Sequence, residues 1–175
     1  MPTYVISTRT GDEARAKYLI EETTSNAHIY IPQKVVSRRY QGAWHEEKRI
    51  LFPGFIMVET DDIRAFIKTL SKPFFKIYRK VFGKNEGSYW PISEEEQTWL
   101  RKLTGGDLLL VAMSKGLKEG RKVRFTDGPL VGCEPFVKKI DRHHRSVFLE
   151  IPMFGQMRTI KVSAEIVNGV QVVTG

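Results

Sequence analysis

One cysteine, Cys133, and an adjacent histidine pair, His143-His144, are the side chains whose types would suit thiol chemistry. A thiol nucleophile needs a base within reach and a third group to orient that base. No orienting group is apparent, so Cys133 is expected to be a buried structural thiol. His28, His45, His143 and His144 lack the spacing of metal ligands, because the side chains of an adjacent pair splay to opposite sides. A lone cysteine also excludes an internal disulfide and multi-cysteine zinc sites, and fits a reducing compartment. Glu94, Glu95 and Glu96 fall where a helix should begin and favour its positive end rather than acid-base catalysis. No Gly-rich loop precedes a Lys and a Ser or Thr to cradle phosphate. The expectation is a binding protein with no enzymatic activity, no metal and no cofactor.

What it binds is indicated by charge. The 175 residues include 28 Lys and Arg against 20 Asp and Glu, a net charge of +8, and the pI is near 9.6. Such a balance favours polyanions. Nucleic acid is preferred to a membrane surface, since no cationic amphipathic helix with a strong apolar face is evident. The longest apolar run, Leu108 to Met113, is too short to span a bilayer, and the amino terminus lacks a secretion-signal layout. A cytoplasmic protein is expected. Residues 1 to 110 carry 17 basic and 14 acidic side chains, whereas 111 to 175 carry 11 and 6. The excess therefore concentrates in the last third.

The elements that would position these groups change character along the chain. At 41% hydrophobic and 11% aromatic, the composition can build cores, in one or two modest domains. Up to about residue 105, strand-like runs alternate with helical ones, an α+β or α/β layer pattern. Strands are expected at Tyr4 to Arg9, His28 to Pro32, Gln33 to Tyr40 and within Glu47 to Thr60, with a turn at Gln41-Gly42. Thr10 and Glu13 have capping-box spacing before a helix bearing Ala16, Leu19, Ile20 and Thr23. Asp61 is expected to cap a second helix with Ile63, Phe66, Ile67 and Leu70, and Ser93 with Glu96 a third ending at Gly105-Gly106. Residues 106 to 120 combine a short apolar strand, Leu108 to Met113, with Ser114, Gly116 and Gly120, and read as a partly ordered tether between domains. Beyond Gly120 the pattern is short strands and tight turns, at Lys122 to Thr126, Glu134 to Ile140, Ser146 to Pro152, Met157 to Val162 and Val170 to Thr174, which suggests a small five-stranded barrel.

Two stretches carry a family resemblance. Leu51-Phe52-Pro53-Gly54-Phe55-Ile56-Met57-Val58-Glu59 resembles the signature strand of the amino-terminal domain of NusG, the bacterial transcription elongation factor. Gly120-Arg121-Lys122-Val123-Arg124-Phe125-Thr126-Asp127-Gly128-Pro129-Leu130-Val131-Gly132-Cys133 resembles the opening of a KOW motif, the carboxy-terminal barrel of the same family. Thr3-Tyr4-Val5-Ile6, Thr10-Gly11-Asp12-Glu13 and Pro91-Ile92-Ser93-Glu94-Glu95-Glu96 extend the likeness over nearly the whole chain. Among branches it is most similar to the specialised LoaP antiterminators. Arg9 stands where housekeeping members usually have an apolar residue, and the barrel is unusually basic. The resemblance implies an amino-terminal (NGN) domain at 1–105, a linker at 106–120 and a KOW domain at 121–175.

The family implies roles residue by residue. Tyr4, Phe52, Pro53 and Phe55 would form or support an apolar surface that grips the coiled coil of the RNA polymerase clamp, although strand alternation turns Phe52 and Ile56 away from Phe55. Arg38, Arg39, Trp44 and His45 lie on a hairpin that can face the non-template DNA strand, where cations interleaved with aromatics suit single strands; the alternative is a solvated loop.

If the barrel strands run antiparallel in order, one end collects Arg121, Lys122, Lys138, Lys139, Arg142, His143, His144, Arg145 and Lys161. That end is expected to bind RNA, with lysines attracting phosphates and Arg142, Arg145 and His144 reaching base edges. The expected target is a structured leader-RNA hairpin, because regular A-form RNA hides its major groove. The alternative is a solvated basic face. Gly128, Pro129, Gly132, Pro135, Pro152 and Gly155 oppose the helical refolding seen in the RfaH branch.

Three readings follow. The preferred one is a monomeric, RNA-recruited antiterminator, nucleoid-associated through polymerase. The second is a housekeeping NusG whose barrel binds a termination factor or ribosomal protein. The third is a ribosome-associated KOW protein, for which residues 1 to 105 would be superfluous.

Overall fold

The computed structural model describes residues 1–70, 72–81, 89–107 and 109–169. In chain order its elements are β1 (Thr3–Thr8), α1 (Glu13–Glu21), β2 (His28–Tyr30), β3 (Gln33–Tyr40), β4 (Ala43–Ile50), β5 (Phe55–Glu59), α2 (Ile63–Thr69), α3 (Lys72–Ile77) and β6 (Tyr78–Val81). There follow α4 (Glu94–Thr104), β7 (Leu110–Val111), β8 (Ser114–Glu119), β9 (Lys122–Asp127), β10 (Val137–Asp141), β11 (Ser146–Met153) and β12 (Gln156–Asn168). By contact the chain gathers into two compact units. The first comprises Met1–Pro32, Ile50–Thr98 and Met153–Gly155; the second comprises Gln33–Arg49, Trp99–Pro152 and the chain from Gln156 onward.

The first unit is built on a four-stranded sheet of order β2-β5-β1-β6. Antiparallel register sets Tyr4 opposite Val58 and Ile6 opposite Ile56. Period-two alternation therefore places these four on one face, where they join Ala16 and Ile20 of α1, Phe66 of α2 and Phe74 of α3 in a single core. Each fully buried side chain of this size contributes roughly 1.5–3 kcal/mol.

Helix starts follow their local chemistry, with two corrections. The Ser93–Glu96 box forms as expected: Ser93 N–H donates to Glu96 Oε2 at 2.8 Å, and Glu96 N–H donates to Ser93 Oγ at 3.2 Å. The second helix is capped by Asp62, not Asp61, with its Oδ1 accepting from Arg64 and Ala65. Placing the cap at Asp62 turns Ile63 and Phe66 into the core. The Thr10–Glu13 box does not form, since Asp12 stands at the N-cap position without a side-chain cap. The Glu13 carboxylate instead accepts from Gly11 N–H at 2.8 Å and Gly54 N–H at 2.6 Å. The expected strand from Glu47 to Thr60 is divided at Leu51 to Gly54, and its first part belongs to β4.

In the second unit β3 and β4 form a hairpin whose turn, Gln41-Gly42, has φ of 50° and 79°. Both values lie in the left-handed region that a two-residue turn between twisted strands requires, and Gly42 adopts it without steric cost. β3 also pairs in parallel with β7. The carboxy-terminal strands do not run antiparallel in order. A five-stranded sheet has the order β10-β11-β12-β8-β9, with β8 parallel to β12 and antiparallel to β9. Within residues 106–120, expected as a tether with a short strand at Leu108 to Met113, β7 falls inside that expected strand, whereas β8 at Ser114–Glu119 is a correction. Glu134–Phe136 forms a short 3-10 turn where strand was expected, followed by β10. The expected strand Val170 to Thr174 lies outside the described residues.

Candidate nucleic-acid interface

The basic side chains of the second unit divide into two groups. One lies at a strand end. Arg142, His143, His144 and Arg145 occupy the β10–β11 turn, and the Arg142 guanidinium donates to Asn168 Oδ1 at 3.1 Å and to the Ile166 carbonyl at 3.3 Å. Asn168 is in register with Lys118, and the neighbouring Glu119 with Lys122. Strand register therefore brings the Arg121-Lys122 turn toward the same end as Arg142. His144 Nδ1 meets Asp141 Oδ2 at 2.8 Å, and its backbone N–H donates to Asp141 Oδ1 at 3.1 Å. The hydrogen bond to the His144 ring, then that to its backbone, lowers the Asp141 carboxyl below its ordinary value.

Arg145 is engaged by Trp44 and Glu165. Its φ is 48°, its guanidinium lies 4.1 Å from the centroid of the Trp44 ring, and it holds Glu165 at 3.0 Å. Two further contacts tie the β3–β4 hairpin to β12. Lys34 Nζ donates to the Lys161 carbonyl at 2.6 Å, and Ser37 N–H donates to Ser163 Oγ at 3.3 Å. Trp44 and Arg145, expected at a DNA contact and an RNA contact, thus hold each other. At the hairpin tip His45 meets Tyr40 with ring centroids 5.0 Å apart, and Arg39 is exposed. Glu47 pairs with Arg49 at 2.6 Å and Arg38 at 3.7 Å.

The other group lies across the strands. Lys139 and Lys161 flank the Phe148 ring, with ammonium-to-centroid distances of 5.7 and 5.9 Å. Lys138 pairs with Glu150 at 3.6 Å. Burial, then the charge of Lys161, lowers the Lys34 ammonium below its ordinary value. Phe148, Lys34 and Glu165 were not foreseen as parts of the site. An aromatic between two polar-facing lysines was the one signal available for Phe148; the roles of Lys34 and Glu165 depend on pairings too distant in sequence to read.

In the first unit Tyr4 is 8% exposed and Phe52 5%, while Phe55 is half-buried and Pro53 exposed. The Phe154 ring lies 4.9 Å from Phe52 and 5.0 Å from Phe55. Beside it, Gly155 N–H donates to Glu96 Oε1 at 2.8 Å. The turn that carries Phe154 therefore sits on the aromatic residues expected to face polymerase.

Cys133 is fully buried, with Sγ 3.6 Å from the Pro129 carbonyl, and burial raises its pKa above the ordinary thiol value. Among the described residues, no group of His, Cys, Asp and Glu could hold a metal ion, and no helix is long and apolar enough to cross a membrane.

A family profile described as "Transcription termination factor nusG" matches residues 3–101, more than half the chain. "Transcription termination/antitermination protein NusG" of Lactococcus lactis subsp. lactis is 24% identical over 188 residues, covering 96% of this chain and 92% of that protein. A solved structure described as "Domain interaction in Thermotoga maritima NusG" is 20% identical, covers 93% of each chain and superposes with a TM-score of 0.46.

Proposed function

The chain belongs to the NusG family of transcription factors, and from that premise we propose that it is a specialised antitermination factor of the LoaP type. Members of this family bind RNA polymerase and are transcription factors rather than enzymes. In this reading residues 1–105 form the polymerase-binding domain, 106–120 lead into the second domain and supply β8 to its sheet, and 121–175 form the rest of a KOW domain that takes a structured leader-RNA hairpin. Tyr4, Phe52, Pro53 and Phe55 belong to the grip on the clamp coiled coil. Arg38, Arg39, Trp44 and His45 face the non-template strand. The protein acts as a cytoplasmic monomer on the nucleoid, without a cofactor.

The observation that carries the RNA assignment is the convergence of Arg121-Lys122 and the Arg142–His144 turn through the registers of β12, β8 and β9. A barrel that bound only protein would not need cations gathered there. The physical task is a population shift: binding that favours the closed, elongating clamp over the paused one suppresses termination without catalysis.

A second reading, the housekeeping factor, is favoured by the Lactococcus relative, which aligns over almost the entire chain. Crosslinking and sequencing of bound RNA in cells separates the two. One enriched leader hairpin supports the specialised role, whereas broad occupancy supports the housekeeping one. Failure to capture polymerase would leave a ribosome-associated role instead.

A further inference from the structure

We propose that Phe148, with Lys139 and Lys161 beside it and Lys34 next to Lys161, is a platform on which one unpaired RNA nucleotide stacks; this rests on the RNA-binding reading above. β11 buries Val147, Leu149, Ile151 and Met153 on one side and turns Phe148 and Glu150 to the other. A phenyl ring therefore stands partly exposed on the outward face of a strand, among charged neighbours. Lys139 is directly opposite Phe148 in the β10–β11 register. Lys161 projects from β12, the strand on the other side of β11.

The two ammonium groups lie 5.7 and 5.9 Å from the ring centroid, near the outer limit of about 6 Å for a cation–π contact. They hold the ring loosely. A base can take one ring face while the displaced lysine, on its flexible stem, swings to a phosphate.

Charge points to the same ligand. Two neighbouring cations have acidic partners, Glu150 for Lys138 at 3.6 Å and Glu165 for Arg145 at 3.0 Å. Among the described residues, Lys34, Lys139 and Lys161 have none. Like charges gathered without a counter-charge repel, and phosphate relieves that repulsion. An aromatic face between cations is the chemistry of a nucleotide with its base free, because a paired, stacked base offers no open face. The ligand is thus the loop or bulge of an RNA hairpin rather than its stem.

The test uses the full chain, a labelled 12-nucleotide unstructured RNA, a labelled RNA hairpin with an open loop, and dT12, each followed by fluorescence anisotropy. The wild type is expected to bind both RNAs. Phe148→Leu, which keeps apolar bulk, should weaken them on the order of tenfold or more without changing the salt dependence. Lys139→Gln and Lys161→Gln should each reduce the salt slope by about 0.7. Phe148→Trp should retain binding, and RNA should quench its indole, a signature that a merely structural ring would not give. Wild-type affinity in Phe148→Leu overturns the platform while leaving the RNA reading intact. If the wild type binds neither RNA, the RNA reading falls and the platform with it. Equal affinity for dT12 overturns the assignment to RNA.

Discussion

The Arg145 guanidinium lies 4.1 Å from the centroid of the Trp44 ring while the same group holds Glu165 at 3.0 Å. The side chain best suited to read a base edge is therefore engaged by the hairpin. Trp44→Ala should cost about 1 kcal/mol of stability, read from urea unfolding, since a partly desolvated cation–π contact is lost. It should also raise affinity for an RNA hairpin by freeing Arg145. Unchanged affinity would mean that Arg145 takes no part in RNA binding.

Glu13 anchors the turn before β5 to the start of α1. Its carboxylate is buried and accepts from Gly54 at 2.6 Å and Gly11 at 2.8 Å. Glu13→Ala strands the Gly54 donor in the interior, and about 3 kcal/mol should be lost, because bonds to an ionised acceptor are the strong ones. Glu13→Gln should cost less, as its amide oxygen keeps one bond.

Asp141 makes the β10–β11 turn sensitive to acid. Its folded pKa lies below the ordinary 3.8 because His144 donates to it. A depressed carboxyl pKa stabilises the fold above the unfolded value, and that contribution disappears as pH falls through the folded one. The stability difference between wild type and Asp141→Asn should thus be present above about pH 4 and shrink below it. Urea midpoints measured from pH 5 down to pH 2 would show a constant gap if the bond contributes nothing.

Phe154 has a φ of 56°, so glycine suits its backbone while removing the ring from Phe52 and Phe55. If those residues grip polymerase, Phe154→Gly should increase capture of the enzyme by the full chain in a pull-down. Equal or weaker capture counts against Phe52 and Phe55.

Local chemistry was legible in the sequence where partners are near. The Ser93–Glu96 box and the Gln41-Gly42 turn depend on residues within a few positions and appear as expected. Glu13 has its decisive partner 41 positions away, which no spacing rule reports. β8 was missed for a packing reason. A strand is usually signalled by β-branched alternation, but Ser114–Glu119 is buried through small residues. A Cβ on Gly116 would come within 3.0 Å of the Arg124 carbonyl and 3.2 Å of the Phe125 ring. Its smallness marks close packing, whereas in the sequence it reads as a tether. The order of the five-stranded sheet was misread in consequence, and the basic residues expected at one end divide between a turn and a strand face.

The seam between β3 and β12 joins residues 126 and 127 positions apart. At a synthesis rate of about 5–20 residues per second, Ser163 leaves the ribosome's catalytic centre roughly 6–25 s after Ser37. For that interval the newborn β3 lacks β12, and through its first part, until Leu110 and Val111 are made, it lacks β7 as well. Early in each molecule's life, the Arg38-Arg39 strand is an unpaired edge, open to chaperones or to any polyanion that arrives first.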